Sequence, residues 1–225
     1  MAYDVIKCMV ISSFKKIDIH GIRAVLLDFD NTVYPYEPCH QFALRQVYRK
    51  IQTIVPVDSY KKFVDLYRQA QTDIKQHLPT QAASHSRLLY FQHLFEDAFG
   101  KTKTALSLQF ETLYWESFFK KMVLREGVLD FFQNCKNQNI RICIVTDLTA
   151  QIQLKKIVHL GLEEYIDFVV SSEEAGIEKP AERLFIMALD KLGLSKEDVV
   201  VVGDSVHRDI AGAERLGIRH YLVGI

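Results

Sequence analysis

Asp28 and Asp30 stand two residues apart at the end of the apolar run Ala24-Val25-Leu26-Leu27. An unbroken apolar run reads as a strand buried on both faces, and it turns polar where it leaves the sheet. In open α/β sheets that carboxyl edge is where ligands bind. Three later segments place polar groups at the ends of strand-like runs in the same way. Ile144-Val145 is followed by Thr146-Asp147, which offers a hydroxyl and turn amides suited to a phosphate oxygen. Ser171 to Glu178 leads to Lys179-Pro180, where Pro180 is expected to set a helix start and hold Lys179 at its amino end. Val199-Val200-Val201-Val202 runs into Gly203-Asp204, with Asp209 five residues on. Carboxylates beside a close-approach glycine are the hard oxygen ligands that magnesium takes.

The elements that must hold these groups follow from periodicity. From residue 123 onward, helical stretches of about ten residues alternate with short β-branched runs, the pattern of a doubly wound, mostly parallel α/β sheet. Tyr221 to Val223 is expected as its last, edge strand. Between the first strand and this region the texture is helical throughout. Stripes at Leu44, Val47, Ile51; Phe63, Tyr67, Ala70; Leu88, Phe91, Phe95; and Phe110, Tyr114, Phe118 predict four amphipathic helices. Pro35 and Pro38 are read as a helix-free linker before them, and Asp58 as an N-cap. The expected organisation is a catalytic α/β core from residues 1–35 and 123–225, with a helical domain over 36–122. Residues 1–20 read as an arm along the core. Trp115 and the other helical-region aromatics are read as bundle core, and Arg87 in Ser84-His85-Ser86-Arg87-Leu88 as a group able to reach a second anion of a substrate.

Asp28-Phe29-Asp30-Asn31-Thr32, Thr146, Lys179 before Pro180, and Gly203-Asp204 with Asp209 resemble, in this order, the four motifs of the haloacid dehalogenase superfamily. The resemblance spans Arg23 to the carboxyl terminus. It implies a Rossmann-like sheet of order 5-4-1-2-3 with the opening strand central, and a four-helix cap inserted after the first motif that closes over the site. It also implies a magnesium-dependent phosphoric monoester hydrolase. Asp28 would be nucleophile and metal ligand, and Asp30 would carry the proton and lend a main-chain carbonyl to the metal. Asp204 would complete the metal site. Thr146, Asp147 and Lys179 would bind the phosphoryl group, and Asp209 would bind the metal through water or orient Lys179. An aspartate at position 30 argues for phosphate esters over carbon–halogen bonds, because a leaving alkoxide needs a proton and a halide does not. The substrate class is a small metabolite, a nucleotide monophosphate or a sugar phosphate. A phosphomutase shares every motif, and a phosphate-sensing binding module that has lost turnover stays open as a third reading.

Composition bounds the partners. The 225 residues are 48% hydrophobic, enough for a sizeable core, and 28 basic residues balance 28 acidic ones. Zero formal charge gives no field for nucleic acid or an anionic membrane. Four cysteines without metal-ligand spacing, and the absence of a signal-like or membrane-length run, point to the cytoplasm. An apolar face on the helical region leaves a homodimer as an expectation.

Overall fold

The computed structural model describes residues 9–224. In chain order the strands and α-helices are β1 (Met9–Ile11), β2 (Ala24–Leu27), α1 (Tyr36–Ile51), α2 (Tyr60–His77), α3 (Arg87–Phe99), α4 (Thr104–Phe119), α5 (Val128–Asn137), β3 (Arg141–Thr146), α6 (Ala150–His159), β4 (Phe168–Ser171), α7 (Ser172–Ala175), α8 (Glu182–Leu192), β5 (Val199–Gly203), α9 (Ala211–Leu216) and β6 (Arg219–Val223). The chain divides into two compact units, one ending at Pro35 and resuming at Val123, the other Tyr36–Met122.

The first unit is a six-stranded parallel sheet of order β1-β6-β5-β2-β3-β4. Alternation along the strands splits its side chains between two buried faces. Ala24, Leu26, Cys143, Val145, Val199 and Val201 form one core with Leu184, Phe185 and Ala188 of α8 and Ala213 of α9. Val25, Leu27, Ile142, Ile144, Val200 and Val202 are also buried, and α5 packs on β3. Gly212 is required here, because a Cβ on it would meet the Phe185 ring at 2.3 Å.

Five strands follow the expected order, and the sixth corrects it. Tyr221–Val223 is not the edge, because Met9–Ile11 pairs with it residue for residue from Met9↔Tyr221 to Ile11↔Val223. Met9–Ile11 thus satisfies main-chain groups that β6 would otherwise leave open, while residues 1–8 of the expected arm lie outside the described residues.

The second unit is built from α1 to α4. Its interior is aromatic, with Tyr67, Tyr90, Phe91, Phe95, Phe110, Tyr114 and Phe118 fully buried and Trp115 nearly so. Two local expectations are corrected. Helix α1 begins at Tyr36 and carries Pro38 in its first turn, where a missing N–H costs nothing. The cap of α2 is Ser59, whose hydroxyl accepts from Lys62 N at 3.2 Å, not Asp58. Among the described residues no helix is long and apolar enough to cross a membrane, and Cys39, Cys135 and Cys143 are buried.

Candidate active site

Strand register sets the site. Leu27 on β2 is level with Ile144 on β3 and Val202 on β5, so all three chains turn polar at one sheet edge. Asp28 still belongs to the ladder, donating its N–H to Val202 O at 2.9 Å. Beyond it the chain leaves the sheet through Asn31, whose φ of 65° an asparagine tolerates.

Asp28 is held from two sides. Thr32 Oγ1 donates to its Oδ2 at 2.6 Å, and Lys179 Nζ to its Oδ1 at 2.6 Å. Lys179 Nζ also donates to Asp209 Oδ1 at 2.6 Å and to Val145 O at 3.0 Å. Burial alone would lower the Lys179 pKa, but the Asp209, Asp28 and Asp147 carboxylates outweigh it and raise it, so the ammonium stays charged. For Asp28 the balance runs the other way. Burial and then the neighbouring Asp209 charge raise its pKa well above the usual carboxylate range, against the pull of Lys179.

Oxygens of Asp28, Asp204 and Asp209 lie within 4.8 Å of one another. The Lys179 ammonium bonds two of these three crowded carboxyl groups, Asp28 and Asp209, and the hard oxygens of the cluster fit a divalent metal that would displace the proton favoured on Asp28. The Asp30 carboxyl is not in this group, so only its main-chain carbonyl is left as the expected metal contact. Asp204 is oriented by Asn31, whose Nδ2 donates to its Oδ2 at 2.7 Å, and Arg125 donates to Asn31 O at 3.0 Å. Asp209 is buried in the π-helical turn Val206–Ile210 and accepts Ser205 N at 3.0 Å. A Cβ at position 203 would stand 2.3 Å from the Asp209 carboxyl carbon, which is why a glycine precedes Asp204.

Lys179 is not at a helix start. Helix α8 begins three residues later, after Ala181, and Lys179-Pro180 lies in a turn whose Lys179 N–H donates to Asp147 Oδ1 at 2.9 Å. The Asp147 side chain is thus spent on the Lys179 backbone, with Arg208 Nη1 at 3.6 Å from its other oxygen. Its carboxyl would repel a phosphate, which leaves its main chain as the anion-binding part. The turn continues through Leu148, buried at a φ of 101°, a region that bulky side chains rarely enter. Arg208 is exposed, as is His207.

Asp30 is held by residues outside every motif singled out in the sequence. Lys156 Nζ donates to its Oδ1 at 2.5 Å, the Tyr34 hydroxyl donates to the same oxygen, and Gln153 Nε2 donates to Oδ2 at 2.8 Å. Burial would raise the Asp30 pKa, but Lys156 followed by Tyr34 and Gln153 holds it below the usual range. Gln153 also reaches Thr146 Oγ1 at 2.6 Å and Asp147 O at 2.8 Å. Gln153 and Lys156 are fully buried on α6, three residues apart. Two polar residues at helical spacing on an otherwise apolar inward face were the available signal.

Arg87 belongs to the helical unit. It is buried, with its guanidinium carbon 5.5 Å from the Tyr90 ring centre, 5.4 Å from Tyr114 and 5.3 Å from Trp115, and it donates to the Tyr36 hydroxyl and His85 O.

The chain is similar to known proteins over most of its length. The family model for haloacid dehalogenase-like hydrolase matches residues 22–217. A ribulose-1,5-bisphosphate 5-phosphatase from Halopiger xanaduensis is 35% identical over 199 residues, covering 88% of this chain and 83% of that protein. A glyceraldehyde 3-phosphate phosphatase from Methanopyrus kandleri is 30% identical over 198 residues, covering 88% and 82%. Among solved structures, a HAD phosphatase from Thermococcus onnurineus superposes with a TM-score of 0.72 at 23% identity, covering 90% of this chain and 86% of that one. The chain belongs to the haloacid dehalogenase-like hydrolases and is a phosphoric monoester hydrolase.

Proposed function

We propose that the protein is a magnesium-dependent phosphatase of small sugar phosphates, working through an aspartyl-phosphate on Asp28. The observation that carries this reading is the double hold on Asp28, with Thr32 on one carboxyl oxygen and Lys179 on the other. Such a hold aims a nucleophile rather than merely satisfying a buried group.

Asp28 attacks phosphorus, forming an oxygen–phosphorus bond as the bond to the leaving oxygen breaks. Asp30, protonated for this step against the pull of Lys156, gives that oxygen a proton and is left as the carboxylate its surroundings favour. Water then attacks the same phosphorus, the bond to Asp28 breaks, and Asp30 recovers its proton from the water. Lys179 and Thr146 bind the phosphoryl oxygens, with main-chain amides around Asp147. Asp28 and Asp204, with the Asp30 carbonyl, would hold the magnesium ion, and Asp209 would anchor Lys179 beside it. When bound, the cation supplies the positive charge that offsets repulsion between the Asp28 carboxylate and an anionic phosphate.

The substrate class is supported by the two relatives above, one named for a pentose bisphosphate and the other for a triose phosphate. Phosphate release from a panel of triose, pentose and hexose phosphates and nucleotides, with and without magnesium, tests the reading. Asp28→Asn is expected to abolish release. Full activity in that variant overturns the mechanism, isomerisation without release identifies a mutase, and binding without turnover identifies a sensing module.

A further inference from the structure

We propose that Gln153 and Lys156 are positioning residues for Asp30, that Gln153 also orients Thr146, and that Asp30 Oδ2 is the oxygen that carries the proton. This assignment rests on the phosphatase reading above. A carboxylate oxygen offers two lone-pair positions. Oδ1 receives two donors, Lys156 Nζ and the Tyr34 hydroxyl, so both of its positions are taken. Among the described residues Oδ2 receives Gln153 alone, which leaves one position for the substrate. The Asp30 side chain is 26% exposed whereas that of Lys156 is 0% exposed, so Asp30 can meet a substrate that the lysine cannot.

The Gln153 amide decides the second half. Its two hydrogens face three acceptors, and its Oε1 has no hydrogen-bond partner among the described residues. The conflict resolves when the hydrogens go to Asp30 Oδ2 and Thr146 Oγ1. The Thr146 hydrogen, at present directed to Asp147 O at 3.2 Å, is then the one available for a phosphate oxygen. One buried amide thereby ties the proton carrier to the phosphoryl-binding hydroxyl. Neither residue is needed to fill space, since an ammonium and an amide are costly at fully buried positions that apolar side chains could occupy.

The test compares Lys156→Met and Gln153→Leu with wild type on two kinds of ester, the best alkyl phosphate from the sugar panel and p-nitrophenyl phosphate. The alkyl ester needs a proton on its leaving oxygen, while nitrophenolate leaves without one. For Lys156→Met the expected result is a kcat on the alkyl ester lowered about 10- to 100-fold with KM within about threefold. First-turnover release of nitrophenolate by this variant should change less than threefold, appearing as a burst ahead of slowed hydrolysis. Gln153→Leu also frees Thr146, so it should slow both esters, the alkyl ester by at least about tenfold more than the nitrophenyl ester. A Lys156→Met kcat within threefold of wild type on the alkyl ester, equal loss on both esters in either variant, or a Gln153→Leu that leaves the nitrophenyl ester unaffected overturns the assignment. Should Lys156→Met fail to fold, Lys156→Gln decides by the same criteria. An inactive wild type overturns the phosphatase reading and this assignment with it, whereas an active wild type with insensitive variants overturns the assignment alone.

Discussion

Lys179 and Asp209 form an ion pair of 2.6 Å in which both side chains are 2% exposed. The same ammonium pairs with Asp28, so one buried positive charge serves two carboxylates brought from different strand ends. Removing it would leave both uncompensated. Lys179→Met is expected to lower stability by about 3 to 5 kcal/mol in urea unfolding. A variant as stable as wild type would show that these carboxyl groups are neutral in the folded protein.

A divalent cation should stabilise the fold in a pH-dependent way. Burial and Asp209 raise the folded-state pKa of Asp28 above its unfolded value. Without a cation, its contribution is therefore present at low pH and lost as pH rises through the raised pKa. A cation at the carboxylates reverses this, because it displaces the proton. Magnesium at a hundredfold excess over its Kd should add about 2.7 kcal/mol near pH 8. The gain should shrink as pH falls toward the carboxylate range, and Asp204→Asn should diminish it. Thermal unfolding with and without magnesium at pH 8 and 5.5 measures this, and a gain that grows on acidification contradicts it.

Leu148 gives a test of backbone strain. With a φ of 101° it occupies a conformation that suits glycine, yet its side chain is buried. Leu148→Ala loses the side-chain burial and keeps the strain, whereas Leu148→Gly loses the same burial and relieves it. Glycine should therefore be the more stable of the two by about 1 to 2 kcal/mol, the reverse of the usual order. Calorimetry of the pair is sufficient, and alanine the more stable would remove the strain argument.

His40 in the helical unit should weaken the protein in acid. Burial, then the Arg87 and Arg68 charges, push its pKa down to about 3. The unfolded chain binds a proton near pH 6.5 that the folded chain refuses, so stability falls as pH drops from 6.5 toward 3, by up to about 4 kcal/mol. His40→Phe should flatten that slope in urea titrations between pH 7 and 4.5, and an unchanged slope would place the loss at other groups.

How much of this was legible in the chain depends on the range of the interaction. The apolar run ending at Asp28 and the β-branched run ending at Gly203 announce buried strands, because burial on both faces removes alternation. Right-handed crossovers then bring their ends to one edge. Stripe periodicity likewise marked α1 to α4, since each amphipathic face is written locally. The sequence by itself therefore determined the α/β core, the helical insert, and which carboxylates could meet. Only the tertiary structure decided what each carboxylate touches. Tyr34, Gln153 and Lys156 converge on Asp30 from positions up to 126 residues apart. Met9–Ile11 becomes a strand only because β6 offers it an unpaired edge. Arg87 lies among aromatic rings because packing in its own bundle, which no local pattern encodes, sets where a buried cation finds its partners.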